Sequence, residues 1–367
     1  MHRIKVLIGL GSVLLLASCA GRQPTEAPAL NPTDARALIE ASLPKNVRDR
    51  AGWAVDLYGA FTVLTVTPNH ENICAVVAVI EQESGFRVDP AVPGLGVIAR
   101  KEINSRAARA HVPMLILDGV LQLKSSDGRS YGERIDAAKT EKDLSDAYED
   151  LLAAVPLGRT LFSDRNPIRT RGPMQVNVAY AEQFSAAAPY PYPVKVSIED
   201  ELFTRRGGVY FAVAHLLDYR APYDQYLYRF ADFNAGQYAS RNAAFQSAVS
   251  VASGIPLVAD GALLPHGSDA NNPGDTELAV RALAARLKMS DGAIHAALAE
   301  GKTKELETTT LYQRVFALAN QKTGMQLPPA LVPRIKLVGP KIKRRLTTDW
   351  YAHRVDDRFK RCLNTQQ

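Results

Sequence analysis

The stretch NICAVVAVIEQESGF, residues 72–86, decides the fold of this chain. Its branched aliphatic residues recur at the spacing i, i+3, i+4 and i+7: Ile73, Val76, Val77 and Ile80. This spacing predicts an α-helix with one buried stripe. Ser84 and Gly85 follow, and residues of these types are common where a helix ends.

Two carboxylates, Glu81 and Glu83, come at the end of this helix. At about 100° per residue they fall on opposite sides of the stripe, so periodicity does not choose between them. Glu83 lies in the predicted last turn, where the helix dipole and a partly apolar setting disfavour the ionised form. A carboxyl that keeps its proton is what a general acid for glycoside cleavage requires. The alternative is a frayed helix end with two solvated glutamates.

The segment RGPMQVNVAYAEQF, residues 171–184, is a second candidate site. Its Gly-Pro pair favours a turn that presents Met174 and Gln175. Met174 would offer an apolar surface for a sugar ring, and the Gln175 amide can donate and accept hydrogen bonds. A simple turn that caps a helix is the alternative.

The segment RFADFNAGQYAS, residues 229–240, is the third candidate. Asn234 and Gly236 suggest a tight turn that holds an amide close to a ligand, with Phe233 and Tyr238 as stacking surfaces. A plain helix C-cap is again the alternative.

Together these three segments are similar, in order, to the ES-G-F, G-L-M-Q and A-Y-N-A-G elements of soluble lytic transglycosylases. Those lysozyme-like enzymes cut the glycan strand of peptidoglycan. The whole chain also resembles a family of bacterial lipoproteins. The resemblance implies that Glu83 is the catalytic acid and base, and that five residues line the sugar subsites: Ser84, Met174, Gln175, Phe233 and Asn234.

Lytic transglycosylases use one carboxyl and no cofactor, because a hydroxyl of the substrate completes the reaction and leaves a 1,6-anhydro end. Three departures from the family pattern keep a second function open. Phe233 stands where the family has a tyrosine that helps to set the acid, Pro173 replaces the family's leucine, and an insertion at about 91–170 separates the first two elements. The alternative is a glycan-binding relative without catalysis. Asp164 is the candidate second acid for a hydrolytic variant.

The rest of the pattern is helical almost throughout and predicts an all-α protein. We expect a lysozyme-like domain at 34–258, a loop at 265–275 and a helical C-terminal region at 276–367. Strand-like alternation is scarce. Its best candidate is a small β-ribbon around Asp118 and Gly119, a dipeptide typical of hairpins.

Residues 1–18 have the pattern of a signal peptide, since Arg3 and Lys5 precede an apolar run too short to span a bilayer. The Leu-Ala-Ser-Cys ending resembles the lipobox of bacterial lipoproteins. It implies acylation of Cys19, a tether at residues 19–33 and an outer-membrane lipoprotein that faces the periplasm. The expected partners are that membrane and peptidoglycan glycan strands.

The remaining cysteines, Cys74 and Cys362, could form a disulfide or stay as two buried thiols. No metal site is expected, because the seven histidines are scattered without a His-x-x-x-His pair, and His215 is expected to pack within a helix. Nucleic acid is not an expected partner of an exported protein. The basic C-terminal stretch, residues 334–361, is either a solvated face or a contact for an anionic polymer or lipid.

Overall fold

The computed structural model of the chain describes residues 31–154, 166, 168–265, 269, 271–339, 342 and 344–365. The signal segment, Cys19, most of the tether and Asp164 lie outside these residues. The described helices are α1 (Pro32–Ser42), α2 (Arg50–Val63), α3 (His70–Glu83), α4 (Leu95–Arg109), α5 (Met114–Gln122), α6 (Tyr131–Ala137), α7 (Glu141–Ala154), α8 (Val178–Ala187), α9 (Ile198–Glu201), α10 (Arg205–Leu217), α11 (Tyr226–Ala235), α12 (Ala239–Ser253), α13 (Asp275–Arg281), α14 (Ala284–Leu287), α15 (Asp291–Ala299), α16 (Thr310–Thr323) and α17 (Thr348–Asn364).

The all-α prediction is confirmed. Within the described ranges, strands are confined to two short antiparallel pairs: β1 (Thr170–Arg171) with β2 (Val176–Asn177), and β3 (Lys336–Leu337) with β4 (Leu346–Thr347). The predicted β-ribbon around Asp118 and Gly119 is wrong, because both residues lie inside helix α5.

The first core surrounds α3. Every residue from Ile73 to Ile80 is exposed by 2% or less, so this helix is buried on all sides and not along one stripe alone. Helices α1, α10 and α17 contact it. At its start, the Tyr226 hydroxyl of α11 donates a hydrogen bond of 2.6 Å to Asn72. A helix enclosed in this way places its last residue at a fixed point of the core edge.

A second core lies between α12, α13, α15 and α16, where Phe245, Val280 and Val315 are wholly buried. Helix α12 comes before the predicted boundary at 265–275 and packs on α16, which comes after it. Helix α17 returns to the first core. The domain boundaries themselves stay predictions.

The insertion forms a small cluster of its own around Leu95, Leu121 and Ile135. Helix α5 belongs to it but buries little besides Leu121, and Leu115 is 85% exposed. None of the helices in the described ranges is long and apolar enough to cross a bilayer.

A disulfide joins α17 to α3. It links Cys74 and Cys362, whose Cα atoms are 5.5 Å apart, and both residues are buried. The bridge fixes the last helix of the chain against the helix that ends at Glu83.

Candidate functional site

Glu83 is the last residue of α3, as the sequence predicted, and its side chain is partly exposed. The helix ends through two hydrogen bonds to the carbonyl of Ile80, from the backbone N–H of Ser84 at 3.0 Å and of Gly85 at 3.1 Å. The Ser84 hydroxyl also donates to this carbonyl, at 3.2 Å, and Ser84 is buried. Ser84 therefore closes the helix end in this structure.

A strained turn follows Glu83. Both Gly85 and Phe86 have positive φ angles, 58° and 63°. A left-handed conformation is ordinary for glycine but unfavourable for phenylalanine. Phe86 holds it because its ring is buried edge-on against Trp53, with ring centres 5.2 Å apart. The packing of this ring fixes the direction in which the chain leaves Glu83.

A tyrosine from the other end of the chain interacts with Glu83. Burial raises the pKa of Tyr351 well above its usual value, and the neighbouring Glu83 carboxylate raises it further. Tyr351 lies on α17, which packs along α3, and is 5% exposed. Sequence reasoning missed this residue because no local pattern in α17 indicates its partner.

The other carboxylate of the pair, Glu81, has a different role. Its Oε1 lies 3.1 Å from Arg361 Nη2 and 3.6 Å from Arg358 Nε, both on α17. Glu81 thus ties α3 to the last helix through ion pairs at a partly exposed surface.

Asn234 also meets α17. The Thr348 hydroxyl donates a hydrogen bond of 2.8 Å to Asn234 Oδ1. Thr348 and Tyr351 are three residues apart, so they lie on one face of the helix. The structure therefore brings Glu83 and Asn234 to the same face of α17.

Phe233, beside Asn234, packs partly buried against the first core. Its carbonyl is 3.3 Å from His215 Nε2, and the two rings have centres 5.0 Å apart. Burial lowers the pKa of His215 to about 4, so the imidazole is neutral at physiological pH. The packed position expected for His215 agrees with this geometry.

A buried aspartate shapes the turn that carries Asn234. Asp232 is wholly buried and accepts hydrogen bonds from the Tyr219 hydroxyl at 2.9 Å and the Tyr223 hydroxyl. It also accepts from the backbone N–H of Tyr238 at 3.2 Å and of Ser240 at 2.7 Å. Burial raises the pKa of Asp232. Sequence reasoning overlooked Asp232, although a carboxylate inside an otherwise apolar helix is a signal that could have marked it.

Gln175 and Met174 are placed differently. Met174 is wholly buried in the first core and offers no surface to solvent. Gly172 has a φ of 76°, and a Cβ there would lie 2.1 Å from the carbonyl of Leu202, so only glycine fits this turn. Gln175 itself has a φ of 52°.

The Gln175 amide is bound to the insertion. Its Nε2 donates to Glu141 Oε2 at 3.0 Å, and its Oε1 accepts from the Thr170 hydroxyl at 3.0 Å. Glu141 is buried and begins α7. Next to it, Thr140 pairs with Ala91 in the segment that follows Glu83. The insertion therefore contacts the second candidate segment.

A cavity of about 520 Å³ lies beside this junction, between residues 91–97 and 136–139. Asp89, just before it, has its pKa raised by burial, while the Thr140 side chain opposes that shift. Glu83 does not line the cavity.

Comparison with known proteins places the chain in a family. Residues 46–365 match the family described as "Protein of unknown function (DUF1615)", and the chain belongs to it. It is also 47% identical, over 366 residues, to "Uncharacterized protein YaiW" of Escherichia coli (strain K12), with 99% of this chain and 100% of that protein covered. No solved structure matches the chain.

Proposed function

We propose that this protein is a lytic transglycosylase of the bacterial envelope, which cuts peptidoglycan glycan strands with Glu83 as acid and base. The observation that carries the proposal is the position of Glu83. It ends a helix that is buried from Ile73 to Ile80, beside the buried hydroxyl of Tyr351, and shares one face of α17 with Asn234. The phenol that the family pattern provides at the Phe233 position would here come from α17.

The proposed reaction needs one carboxyl. Glu83 gives its proton to the glycosidic oxygen as the bond from the anomeric carbon to that oxygen breaks. The 6-hydroxyl of the same muramic acid residue then attacks the anomeric carbon and returns its proton to the Glu83 carboxylate. A 1,6-anhydro end forms and no water is consumed. Asn234 would hold the sugar in place through its amide.

Backbone strain supports the same assignment. Seven non-glycine residues have a positive φ in the described part of the chain, and three of them fall one in each candidate segment: Phe86, Gln175 and Tyr238. Such conformations cost roughly 1–3 kcal/mol each and cluster at functional sites. Their distribution here is what a site built from these three segments would produce.

The location in the envelope belongs to the proposal as well. Acylation of Cys19 would anchor the protein to the outer membrane, and residues 19–33 would let the folded part reach the periplasmic glycan. The support is the lipobox-like sequence before Cys19.

One observation favours a second candidate, a non-catalytic protein that binds glycan. Both polar atoms of the Gln175 amide are engaged within the protein, and Met174 is buried. Neither side chain offers the sugar contact that the family resemblance implies. Without sugar contacts from this second candidate segment, the domain would have fewer residues to line a glycan cleft.

The two candidates give different results with isolated sacculi. Purified protein that begins at residue 31, where the first described helix is capped, is incubated with sacculi, and the soluble fraction is analysed by mass spectrometry. A lytic transglycosylase releases muropeptides lighter by one water than the products of hydrolysis. Protein that sediments with the sacculi but releases nothing would support glycan binding alone.

A further inference from the structure

We propose that His70, Cys74 and Cys362 form a binding site for Zn²⁺ when the two cysteines are thiols. One potential ligand atom from each residue, an imidazole nitrogen or a sulfur, lies within 4.8 Å of the others. Zinc is bound at about 2.3 Å by thiolate sulfur and about 2.0–2.1 Å by imidazole nitrogen, so one ion can reach all three atoms after small shifts.

The helices provide the spacing. His70 and Cys74 are four residues apart on α3, which places both side chains on one face of the helix. Cys362 comes from α17, packed against that face. Sequence reasoning considered His-x-x-x-His pairs and cysteine pairs in one segment, and a His-x-x-x-Cys pair completed by a distant cysteine has neither pattern.

His70 gives independent support for a ligand. Its Nε2 atom is buried, and no hydrogen-bond partner for it exists among the described residues. A buried polar atom without a partner is costly. Coordination of a metal ion is one way to offset the free-energy cost of a buried histidine nitrogen that has no hydrogen-bond partner.

Metal binding and the disulfide exclude each other, because both use the sulfur atoms of Cys74 and Cys362. Reduction of the Cys74–Cys362 bond by a dithiol or a phosphine adds two electrons and two protons to the sulfurs, and Zn²⁺ then displaces the two protons as it binds. Cys362 lies two residues before the end of α17, where a helix frays, so local opening gives a reductant access. Three protein ligands leave the fourth position for water.

Zinc would replace the disulfide as the link between α3 and α17. The envelope protein would then keep its last helix in place in both redox states. This inference does not depend on the proposed activity of Glu83, which lies at the opposite end of α3.

The test uses Co²⁺ as a spectroscopic substitute for Zn²⁺ in the full-length chain with Cys19→Ser, so that two thiols remain. The protein is reduced with a phosphine, freed of reductant without oxygen and titrated with Co²⁺. We expect one Co²⁺ per chain, a thiolate-to-cobalt charge-transfer band, and loss of this band when Zn²⁺ is added. The same protein with the disulfide intact should show no such band.

His70→Ala should weaken Co²⁺ binding at least about tenfold, since loss of an outer-shell partner alone costs about 10- to 100-fold. His353→Ala is the matched control, because His353 is exposed on α17 and should leave binding unchanged. Circular dichroism checks that each variant is folded. The proposal is overturned if the reduced protein binds no more Co²⁺ than the oxidised protein, or if folded His70→Ala binds as tightly as its parent.

Discussion

The Tyr351 hydroxyl on α17 interacts with the Glu83 carboxylate at the end of α3. This electrostatic interaction links the candidate acid to the last helix of the chain, and a disulfide fixes that helix to α3. Tyr351 would act as a positioning residue for Glu83, because its buried hydroxyl has no hydrogen-bond partner among the described residues and is free to donate to a nearby carboxylate.

Replacement of Tyr351 by phenylalanine tests this role. A hydrogen bond from the Tyr351 hydroxyl to the Glu83 carboxylate in the reaction would contribute about 1.5–3 kcal/mol, so without it the rate of glycan cleavage should fall roughly tenfold to a hundredfold. The pH profile of the cleavage rate should also move. The ionised Glu83 carboxylate would lose a hydrogen-bond donor that stabilises it, so the limb of the profile that Glu83 controls should shift to higher pH. Rates measured on sacculi across pH 4–8 check both effects. An unchanged profile with a lower rate would indicate that Tyr351 only supports the fold.

Asp232→Asn should destabilise the fold. Tyr219 donates to one oxygen of the buried Asp232 carboxylate and Ser240 to the other, and an asparagine amide keeps only one oxygen, so the donors on one side lose their acceptor. We expect the free energy of unfolding in urea to fall by about 2–4 kcal/mol. The exposed Asp224 gives the matched control, since Asp224→Asn should change stability by less than about 0.5 kcal/mol. Equal stability of the two variants would contradict this account of the turn.

Loss of the disulfide should also cost stability. The bridge joins residues 288 positions apart, and cross-links of this kind contribute about 2–5 kcal/mol, chiefly through the unfolded chain. Cys74→Ala combined with Cys362→Ala should lower the urea midpoint of metal-free protein. Reducing agent should lower the midpoint of the parent and leave the double variant unchanged. A parent insensitive to complete reduction would speak against a stabilising bridge.

Stability should fall between pH 6.5 and pH 4 because of His215. Burial lowers its pKa from 6.5 in the unfolded chain to about 4 in the folded protein. In this window the unfolded state binds the proton and the folded state does not, so lower pH favours unfolding. His215 is partly exposed, and with allowance for this exposure the loss is about 2 kcal/mol at pH 4. Urea unfolding at pH 7 and pH 4.5 should show a smaller decline for His215→Phe than for the parent. Equal declines would remove His215 as the cause.

The sequence predicted those features that depend on local pattern. The spacing of Ile73, Val76 and Ile80 predicted α3 and its buried stripe, and Gly85 marked its end. The prediction of a hairpin around Asp118 and Gly119 was wrong, because the same dipeptide is tolerated in a helix. Pro113 precedes α5, and Gly119 has open space around it, so neither residue prevents the helix.

Local sequence patterns could not predict the contacts between distant segments. The approach of Tyr351 to Glu83 and the capture of Gln175 by Glu141 both depend on how helices pack across the chain. Phe233 suggested that the candidate acid lacks a phenol neighbour, and α17 supplies one from more than a hundred residues away. The periodicity of the sequence cannot show that a tyrosine on α17 takes the place of the tyrosine that the family has at the Phe233 position.

The most direct measurement compares Glu83→Gln with Glu81→Gln on sacculi. Both variants remove one carboxylate within the same turn of α3, but Glu81 forms ion pairs with α17, whereas Glu83 is the proposed acid. Release of 1,6-anhydro muropeptides is followed by mass spectrometry, with urea unfolding as the check on folding. We predict that Glu83→Gln releases none and that Glu81→Gln stays within about twofold of the parent, since a partly exposed ion pair contributes less than about 1 kcal/mol. Release by folded Glu83→Gln at the parental rate, or no release by the parent itself, would contradict the assignment.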